Sequence, residues 1–445
     1  DKGQILEGDK TITGITNADP GVVTASSHGY SDGDFVILSS VAGITEVNGI
    51  TYKVANKTTN TFELNDVDGN AVDTATSGPY STYTSGGVAN RIYQITTSYT
   101  TAQIPNLKFA QSADVMYITH PSHEVSKLER TGHTSWTISE VDFAETGPYL
   151  SANTTATTLT PASSGTGAGV NITARTNTTV VVCTITKAFT NTDATAAFSL
   201  GAWSDSTGFP SSVSFFQQRL VFAGTTAEPQ TVYFSKSGDY ENFTSGTDAS
   251  DALVYTIASN QVNVIRYLKS QRTLIVGTTG GEYTVDADGT DAAITPSNIN
   301  IRKQSSYGSA NVDALTVGNA VVFLQRAKRK IRELAYNFDQ DAYVAPDLTI
   351  LNDTVTDTGI NELEFQQSPD SIIWCVRDDG VLSALTYQRS ENVVAWTRHK
   401  LGGKFTECTI TVSDYSNIAT GTRLVFTKSD GTTVTFTSEA SGGSA

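Results

Sequence analysis

A repeated segment of about 50 residues limits the folds open to this chain more than any other feature of its sequence. Short apolar segments begin at residues 219, 273, 320 and 371, at intervals of 54, 47 and 51 residues. An earlier copy begins at residue 114, and a Thr/Ser-rich stretch of roughly 60 residues fills most of the longer interval after it. A fixed period with several short strands per repeat predicts a β-propeller, here of five blades. Two unrelated β-sandwiches are the alternative.

Each repeat contains two strand-like segments joined by a turn. The first segments read DVMYI, RLVFA, TLIVG, AVVFL and SIIWCV, and those that follow them read KLERT, TVYFS, GEYTVD, IRELAY and LSALTY. Elsewhere helical periodicity is nearly absent, and dipeptides that favour tight hairpins recur. They are Asp32-Gly33, Asp68-Gly69, Gly280-Gly281, Asp379-Gly380 and Asp430-Gly431. We therefore predict an all-β fold with a β-propeller core.

Residues 11–90 form a separate module with its own turn pattern. We expect strands at Phe35–Leu38, around Tyr52 and Val54, and around Phe62 and Leu64. The module resembles the small FCCH β-barrel, first described in ubiquitin-activating enzymes and common as an insert in phage tail proteins. The resemblance is carried by His28-Gly29-Tyr30, Gly33-Asp34, Asn48-Gly49 and Asn60-Thr61-Phe62. The module has no Cys, so nothing in it implies ubiquitin chemistry.

This barrel interrupts a larger unit. Gly3-Gln4-Ile5-Leu6 before it and Tyr93-Gln94-Ile95-Thr96 after it read as one strand system, and a barrel with adjacent ends inserts at little cost. We expect residues 1–10 and 91–150 to begin the propeller and residues 213–404 to contain its other blades. Residues 151–212 are predicted to be a β insertion with strands around Val180 and Ile185. Residues 405–445 are predicted to be a truncated hairpin module, with further chain beyond both ends.

Candidate catalytic and metal-binding patterns all have simpler structural interpretations. His120, His123 and His133 could ligate zinc, but His120 precedes Pro121 in a turn. Gly277-Thr278-Thr279-Gly280-Gly281 is followed by a strand, whereas a phosphate loop needs a helix and a Lys. The acidic pairs Asp378-Asp379 and Asp339/Asp341 could suggest a glycosidase, but the first precedes a turn glycine. We therefore assign no catalytic, cofactor-binding or metal-binding residue, predict no cofactor, and expect no enzymatic activity.

The only dense basic run is Arg326, Lys328, Arg329, Lys330 and Arg332. It could contact DNA phosphates or an acidic neighbouring subunit, but charge runs of this kind are more often solvated hairpin tips. Cys183, Cys375 and Cys408 are far apart, and their odd number implies neither a disulfide framework nor a zinc site. No apolar run is long enough for a transmembrane helix, and no signal peptide is visible.

Several stretches between residues 91 and 404 resemble the tail nozzle, or tail tubular, proteins of short-tailed phages. The strongest is QQSPDSIIWCVRDDGVLSALTYQRSENVVAWTRHKLGG, residues 366–403. The others are Tyr99-Thr100, Phe109–Asp114, His120-Pro121, Lys127-Leu128, Arg130 to Trp136, Ser214–Thr225, Tyr233-Phe234-Ser235, Gly238–Phe243 and Asp347–Ile350.

The resemblance implies a structural virion protein that is assembled in the host cytoplasm and forms a ring, usually a hexamer. Such a ring lies below the head-tail adaptor, conducts the genome outward during ejection and can carry tail fibres. The net charge of −16 is compatible with a wall along which DNA slides without sequence-specific binding. Two other classes remain open: a receptor-binding adhesin that recognises host surface glycans, and a polysaccharide depolymerase.

Overall fold

The computed structural model describes residues 5–143, 147–148, 169–175, 181–187, 201–205, 207–288, 292–399, 423–427 and 433–437. The described chain is all-β, as predicted, and its core is a β-propeller of five four-stranded antiparallel sheets. Five short 3-10 helices occur among these residues, at Thr45–Val47, Ile104–Asn106, Phe338–Gln340, Asp353–Thr356 and Arg389–Glu391. Within the described part of the chain, no helix is long and apolar enough to cross a membrane.

A seven-stranded barrel precedes the propeller. Its strands are β1 (Lys10–Thr11), β2 (Gly14–Ile15), β3 (Val22–Thr24), β4 (Phe35–Ser39), β5 (Thr51–Ala55), β6 (Thr61–Asn65) and β7 (Val88–Arg91), in the order β1-β7-β4-β5-β6-β3-β2. The strands alternate between buried and partly exposed residues, which gives the barrel one interior core. On its entry side, Leu6 pairs with Ile92, and the Tyr93 amide donates to the Ile5 carbonyl at 2.8 Å.

The HGY motif stabilises this barrel from inside. His28 is buried, its Nδ1 accepts a hydrogen bond from the Tyr30 amide at 3.0 Å, and its ring packs edge-on against Phe62. The Tyr30 hydroxyl donates to the Ala89 carbonyl at 2.8 Å, and burial raises the pKa of Tyr30 far above its usual range. The motif therefore has a structural role: it links the long loop after β3 to strands β6 and β7.

Each propeller blade is a four-stranded meander. Blade 1 comprises β8 (Lys108–Ser112), β9 (Val115–His120), β10 (His123–Gly132) and β11 (Ser135–Glu140). Blade 2 comprises β14 (Ser212–Phe216), β15 (Arg219–Ala223), β16 (Thr231–Phe234) and β17 (Leu253–Thr256). Blade 3 comprises β18 (Ile265–Ser270), β19 (Leu274–Thr278), β20 (Gly281–Asp286) and β21 (Asn300–Ser305).

Blade 4 comprises β22 (Leu315–Val317), β23 (Ala320–Leu324), β24 (Ile331–Asn337) and β25 (Ala342–Val344). Blade 5 comprises β26 (Ile360–Gln366), β27 (Ile372–Arg377), β28 (Leu382–Gln388) and β29 (Val393–His399). The predicted apolar segments are the second strands of the five blades, and the segments after them are the third strands. The second strands of blades 2, 3 and 4 are buried on both faces, which explains why their apolar runs dominate the sequence.

The apolar clusters of the propeller lie between blades. Each joins residues of two successive blades, as in the cluster that places Val232 of blade 2 with Val285 of blade 3. A second packs Tyr267 of blade 3 on Phe323 of blade 4, with ring centroids 6.3 Å apart. The first strands β8, β14 and β18 lie side by side and mark the propeller axis. Each blade therefore depends on its neighbours to bury its faces.

Two further hairpins lie outside the blades. The inserted one pairs β12 (Gly169–Arg175) with β13 (Val181–Lys187), so its first strand lies earlier than expected, while the second includes Ile185 as predicted. The polar run Thr176–Thr179 separates the two strands. The C-terminal hairpin pairs β30 (Arg423–Thr427) with β31 (Thr433–Thr437). Gly3, Gln4, Val180, Cys408, Asp430-Gly431 and most of the 151–212 stretch lie outside the described residues.

Candidate functional site

The basic run forms the hairpin between β23 and β24, and only part of it is free. Arg332 lies over the Tyr307 ring, 3.5 Å from its centroid, and donates to the Ala345 carbonyl at 2.7 Å. Lys330 forms an ion pair with Asp347 at 2.7 Å. Arg326 and Arg329 are exposed. The run therefore both anchors the adjacent loop and presents two cations to solvent.

Next to this hairpin, the loop 347–356 exposes two aliphatic side chains. Thr349 donates to Asp347 through its amide at 2.9 Å, and the Thr356 hydroxyl donates to the Arg329 carbonyl at 2.5 Å. Between these anchors Ile350 is 74% exposed and Leu351 is 87% exposed. Exposed aliphatic residues beside cations are typical of interaction surfaces. We call Arg326, Arg329, Lys330, Ile350 and Leu351 the blade 4 surface.

The carboxylate of Asp347 holds this surface together. Burial alone would raise the pKa of Asp347, but hydrogen bonds from Lys330 and Thr349 hold this pKa below its usual range. Asp347 therefore stays ionised and fixes the loop to the hairpin. Asp347 begins the stretch Asp347–Ile350 that resembles the nozzle family, so the resemblance here marks a loop anchor.

Charged side chains of both signs meet at the propeller axis. The Lys108 ammonium donates to the Arg266 carbonyl, which also accepts from the Ser212 hydroxyl at 3.1 Å. Loss of water around Lys108 lowers its pKa to about 8, and the field of Asp313 opposes this change. Lys269 donates to Asp313 at 2.6 Å. The inner strands thus bring cations of blades 1 and 3 next to acidic groups of the later blades.

Glu364 supplies a further carboxyl to the axis from the first strand of blade 5. Desolvation raises its pKa, and the neighbouring carboxylates Glu362 and Asp313 raise it further. Lys269 acts in the opposite direction. The charges of these cations and carboxylates partly cancel at the axis. The cluster was not foreseen from the sequence, because its members come from different repeats.

A buried arginine fixes the loop after β16. The guanidinium of Arg219 donates to the carbonyl oxygens of Ser235 at 2.6 Å, Asp251 at 2.7 Å and Ala249 at 2.7 Å. Arg219 is 2% exposed, and desolvation lowers its pKa. The preceding residues Gln217 and Gln218 have positive φ values in the tight turn between β14 and β15. The FFQQR segment of the nozzle resemblance is therefore a turn followed by a loop anchor.

Blade 5 repeats this device with Arg377. Its guanidinium donates to Asp379 at 2.7 Å, to Asp357 at 2.9 Å and to the Val355 carbonyl at 2.6 Å. Burial raises the pKa of Asp379, but the hydrogen bonds from Arg377 and from the Val381 amide, together with the positive charge of Arg377, lower that pKa on balance. Asp378 is exposed in the same turn. The acidic pair considered for glycosidase chemistry thus includes one carboxylate committed to a structural ion pair.

The other sequence candidates lie in turns or against aromatic rings. Asp341 accepts a hydrogen bond from the Tyr336 hydroxyl at 2.5 Å, and Asp339 lies in the same hairpin tip. The Gly277–Gly281 segment makes the hairpin between β19 and β20. His120 and His123 pack together, with ring centroids 5.2 Å apart, whereas His133 lies in the hairpin between β10 and β11.

Metal ligation has no geometric basis in this histidine cluster. No group of three or more His, Cys, Asp or Glu side chains converges on a metal position within the described ranges. His120 also accepts a hydrogen bond from the Ser122 amide at 3.1 Å, and burial lowers the pKa of His120. Cys375 is buried and Cys183 is exposed.

A buried carboxyl in blade 3 was not foreseen from the sequence. Glu282 is fully buried, and the hydroxyls of Ser305 and Ser309 donate to it, the latter at 2.8 Å. Burial raises the pKa of Glu282. Ser305 is the last residue of β21 and Ser309 follows it, so these contacts hold the segment that leads into blade 4 against blade 3. No periodic signal marks Glu282, because every residue of β20 from Gly281 to Val285 is buried.

Comparison with protein families gives one match. Residues 18–92 match the family described as the ubiquitin-activating enzyme E1 FCCH domain. These residues include strands β3 to β7 of the barrel. No curated protein matches the chain.

Comparison with solved structures gives distant likenesses. The WD40 domain of Neurospora crassa Pan2 aligns at 9% identity with a TM-score of 0.31, covering 67% of this chain and 79% of that one. An auxiliary nutrient binding protein from Bacteroides thetaiotaomicron aligns at 9% identity with a TM-score of 0.30, covering 98% and 86%. Phage phi92 endosialidase aligns at 11% identity with a TM-score of 0.21, covering 99% and 57%.

Proposed function

We propose that this protein is a non-enzymatic structural subunit of a phage tail nozzle. In this role, copies of the chain form a ring, usually a hexamer, below the head-tail adaptor, and the genome passes through the lumen at ejection. Tail fibres attach to its outer surface. The protein acts in the virion tail after assembly in the host cytoplasm.

One observation carries the proposal: stretches that resemble the nozzle family contain the anchors of the propeller scaffold. Arg219, Asp347 and Arg377 each lie in such a stretch, and each fixes a loop by hydrogen bonds. A resemblance concentrated on loop anchors supports a shared architecture. It is less easily explained by chance similarity of apolar strands.

The blade 4 surface supports assembly into a larger structure. Its exposed Ile350 and Leu351 lie beside cations in a chain whose net charge is −16. A local basic and apolar surface on an acidic protein fits a protein partner, because charge complementarity favours association and apolar contact contributes most of the affinity.

The first experiment measures the symmetry of the purified assembly by electron microscopy and its mass by native mass spectrometry. We expect a cyclic ring with an axial opening wider than a DNA duplex, roughly 20 Å across. A trimer or a monomer without a channel would contradict the proposal and favour the adhesin alternative.

A pair of variants then locates the contact. Ile350→Asp combined with Leu351→Asp should shift the assembly toward monomers, since a buried unpaired charge opposes association. Phe338→Asp is the matched control, because Phe338 is 85% exposed at the opposite end of β24. If only the Phe338 variant dissociates the ring, the blade 4 surface is not the subunit contact.

A further inference from the structure

A polar cleft of about 600 Å³ opens at the rim of the propeller between blades 2 and 3. Tyr255 of β17 pairs with Val232, and Lys303 of β21 pairs with Tyr283. Both partners belong to the apolar cluster that blades 2 and 3 share. Tyr255 and Lys303 therefore point toward each other across the gap where the outer strands diverge. The volume is in the usual range for a small-ligand site.

The loop that closes the cleft is held in one shape by hydrogen bonds. Gln230 donates from Nε2 to the Ser259 hydroxyl at 3.1 Å, and Asn263 donates from Nδ2 to the same oxygen at 3.0 Å. The Ser259 hydroxyl in turn donates to the Gln261 carbonyl. These bonds hold the backbone of the loop that carries the exposed side chains of Asn260 and Gln261, which reduces the ordering cost of binding at this loop.

The floor of the cleft requires glycine. A Cβ at Gly280 would lie 2.1 Å from Oδ1 of Asn263, so the Asn263 amide packs directly on the backbone of the β19–β20 hairpin. Asn263 is only 7% exposed. Gly277–Gly281, the Gly-rich segment, thus has a role besides its hairpin turn. It makes room for a buried amide beneath the cleft.

The charge of the cleft differs from that of the whole protein. Its walls contain no Asp or Glu, whereas the chain carries a net charge of −16. Lys303 is exposed and forms no ion pair with any residue in the described part of the chain. Its ammonium is therefore available to an anionic group of a ligand.

We propose that this cleft binds an oligosaccharide that carries a carboxylate. Amide side chains offer a donor and an acceptor in fixed geometry, which matches the paired hydroxyls of a sugar. The half-exposed ring of Tyr255 offers an apolar face for the C–H groups of a pyranose, and Lys303 pairs with the carboxylate. The residues we assign to the site are Tyr255, Ser259, Asn260, Gln261, Asn263 and Lys303.

This inference is independent of the proposed nozzle function. A virion subunit with a saccharide cleft at its rim would touch the acidic polysaccharides of a cell surface, but the binding itself needs no ring. Loss of assembly in the blade 4 variants and loss of saccharide binding are therefore separate outcomes.

The test is to titrate each sugar into the purified full chain at low salt. Binding is measured by calorimetry and by NMR signals of the sugar. The probes are sialyllactose, a glucuronic acid-containing tetrasaccharide and neutral lactose. We expect saturable binding of at least one acidic sugar and about tenfold weaker binding of lactose, the factor that one charge-assisted contact contributes. Equal binding of lactose, or no saturable binding of either acidic probe, would overturn the proposal.

Charge and stacking are tested by two matched pairs of variants. Lys303→Gln should weaken binding of the acidic sugar about tenfold. Arg302→Gln should not, because Arg302 pairs with Thr284 and lies on the opposite face of β21. Tyr255→Ala should weaken binding about fivefold, whereas Val254→Ala, on the other face of β17, should leave it unchanged. Equal effects within either pair would place the ligand elsewhere.

Discussion

The barrel and the propeller bury their apolar residues in different ways. The barrel has one core inside one curved sheet, and the described residues that cluster with Val36, Phe62 and Leu64 all belong to the same module. In the propeller, each cluster joins two blades, and Leu274 of blade 3 packs in a core that includes Val232 of blade 2. We therefore expect the barrel to fold by itself and each blade to gain most of its stability from its neighbours.

The two regions also differ in their use of buried charge. The described barrel core consists of aliphatic and aromatic side chains, with the His28 ring at its edge. The propeller buries Arg219 and Arg377 as loop anchors and desolvates Lys108 at its axis. Long loops within blade 2 and before blade 5 leave carbonyl oxygens that need donors, and arginine supplies several donors from one side chain.

The largest expected effect is on the propeller anchor. Arg219→Met removes the donors to the buried carbonyl oxygen of Ser235 and to the partly buried carbonyl oxygens of Ala249 and Asp251. We expect it to lower the free energy of unfolding by about 3–5 kcal/mol. Calorimetry should show the loss in the propeller transition, with the barrel transition unchanged. Arg326→Met, at an exposed position, is the control. An equally small effect of both variants would show that the anchor does not stabilise the blade.

A matched pair of core truncations tests the comparison directly. Leu64 and Leu274 are both fully buried, and truncation to Ala should cost about 3 kcal/mol at each site. Leu64→Ala should destabilise only the barrel, because its core is self-contained. Leu274→Ala should lower the stability of blades 2 and 3 together. Hydrogen exchange of backbone amides distinguishes these outcomes, and protection lost in blade 3 alone would contradict the shared core.

The smallest effect is expected at the axis. Because desolvation lowers the pKa of Lys108 to about 8, the folded state binds its proton less tightly than the unfolded state does. This group therefore opposes folding below pH 8, and its penalty disappears as the pH rises toward the ordinary lysine pKa. Lys108→Met should stabilise the protein by about 1–2 kcal/mol at neutral pH, less than the full pKa shift implies because a hydrogen bond is lost.

Denaturant titrations of both proteins at several pH values measure this difference. The advantage of Lys108→Met should shrink between pH 8 and pH 10, since the wild-type protein loses its penalty over that interval. A constant advantage would mean that Lys108 is well solvated at the axis.

The predictable part of the fold was the part with buried strands. The second strand of each blade, such as β23, contains a continuous apolar segment that recurs at a fixed period, and the third strand, such as β24, follows it after a turn. The first and fourth strands were not identified, because strands such as β21 are largely polar and partly exposed. Their pairing depends on the blade beside them, which no local pattern records.

The candidate sites were also predictable only where a local sequence pattern marks them. The basic hairpin was visible in the sequence, but the ion pair of Lys330 with Asp347 and the stacking of Arg332 on Tyr307 depend on contacts across the blade. The cleft between blades 2 and 3 was not foreseen at all. Tyr255 and Lys303 are 48 positions apart in the chain and carry no shared motif.

The sequence by itself determined that this protein is an all-β chain built from repeats, because the period and the alternation of apolar residues are local properties of the backbone. It also determined the hairpin turns, where glycine or asparagine accepts a positive φ. Only the tertiary structure decided which charges meet at the axis, which arginines become anchors and where a cleft opens. Those features arise where separate blades come together, and the physical reason is that burial and electrostatic fields depend on distance in space rather than along the chain.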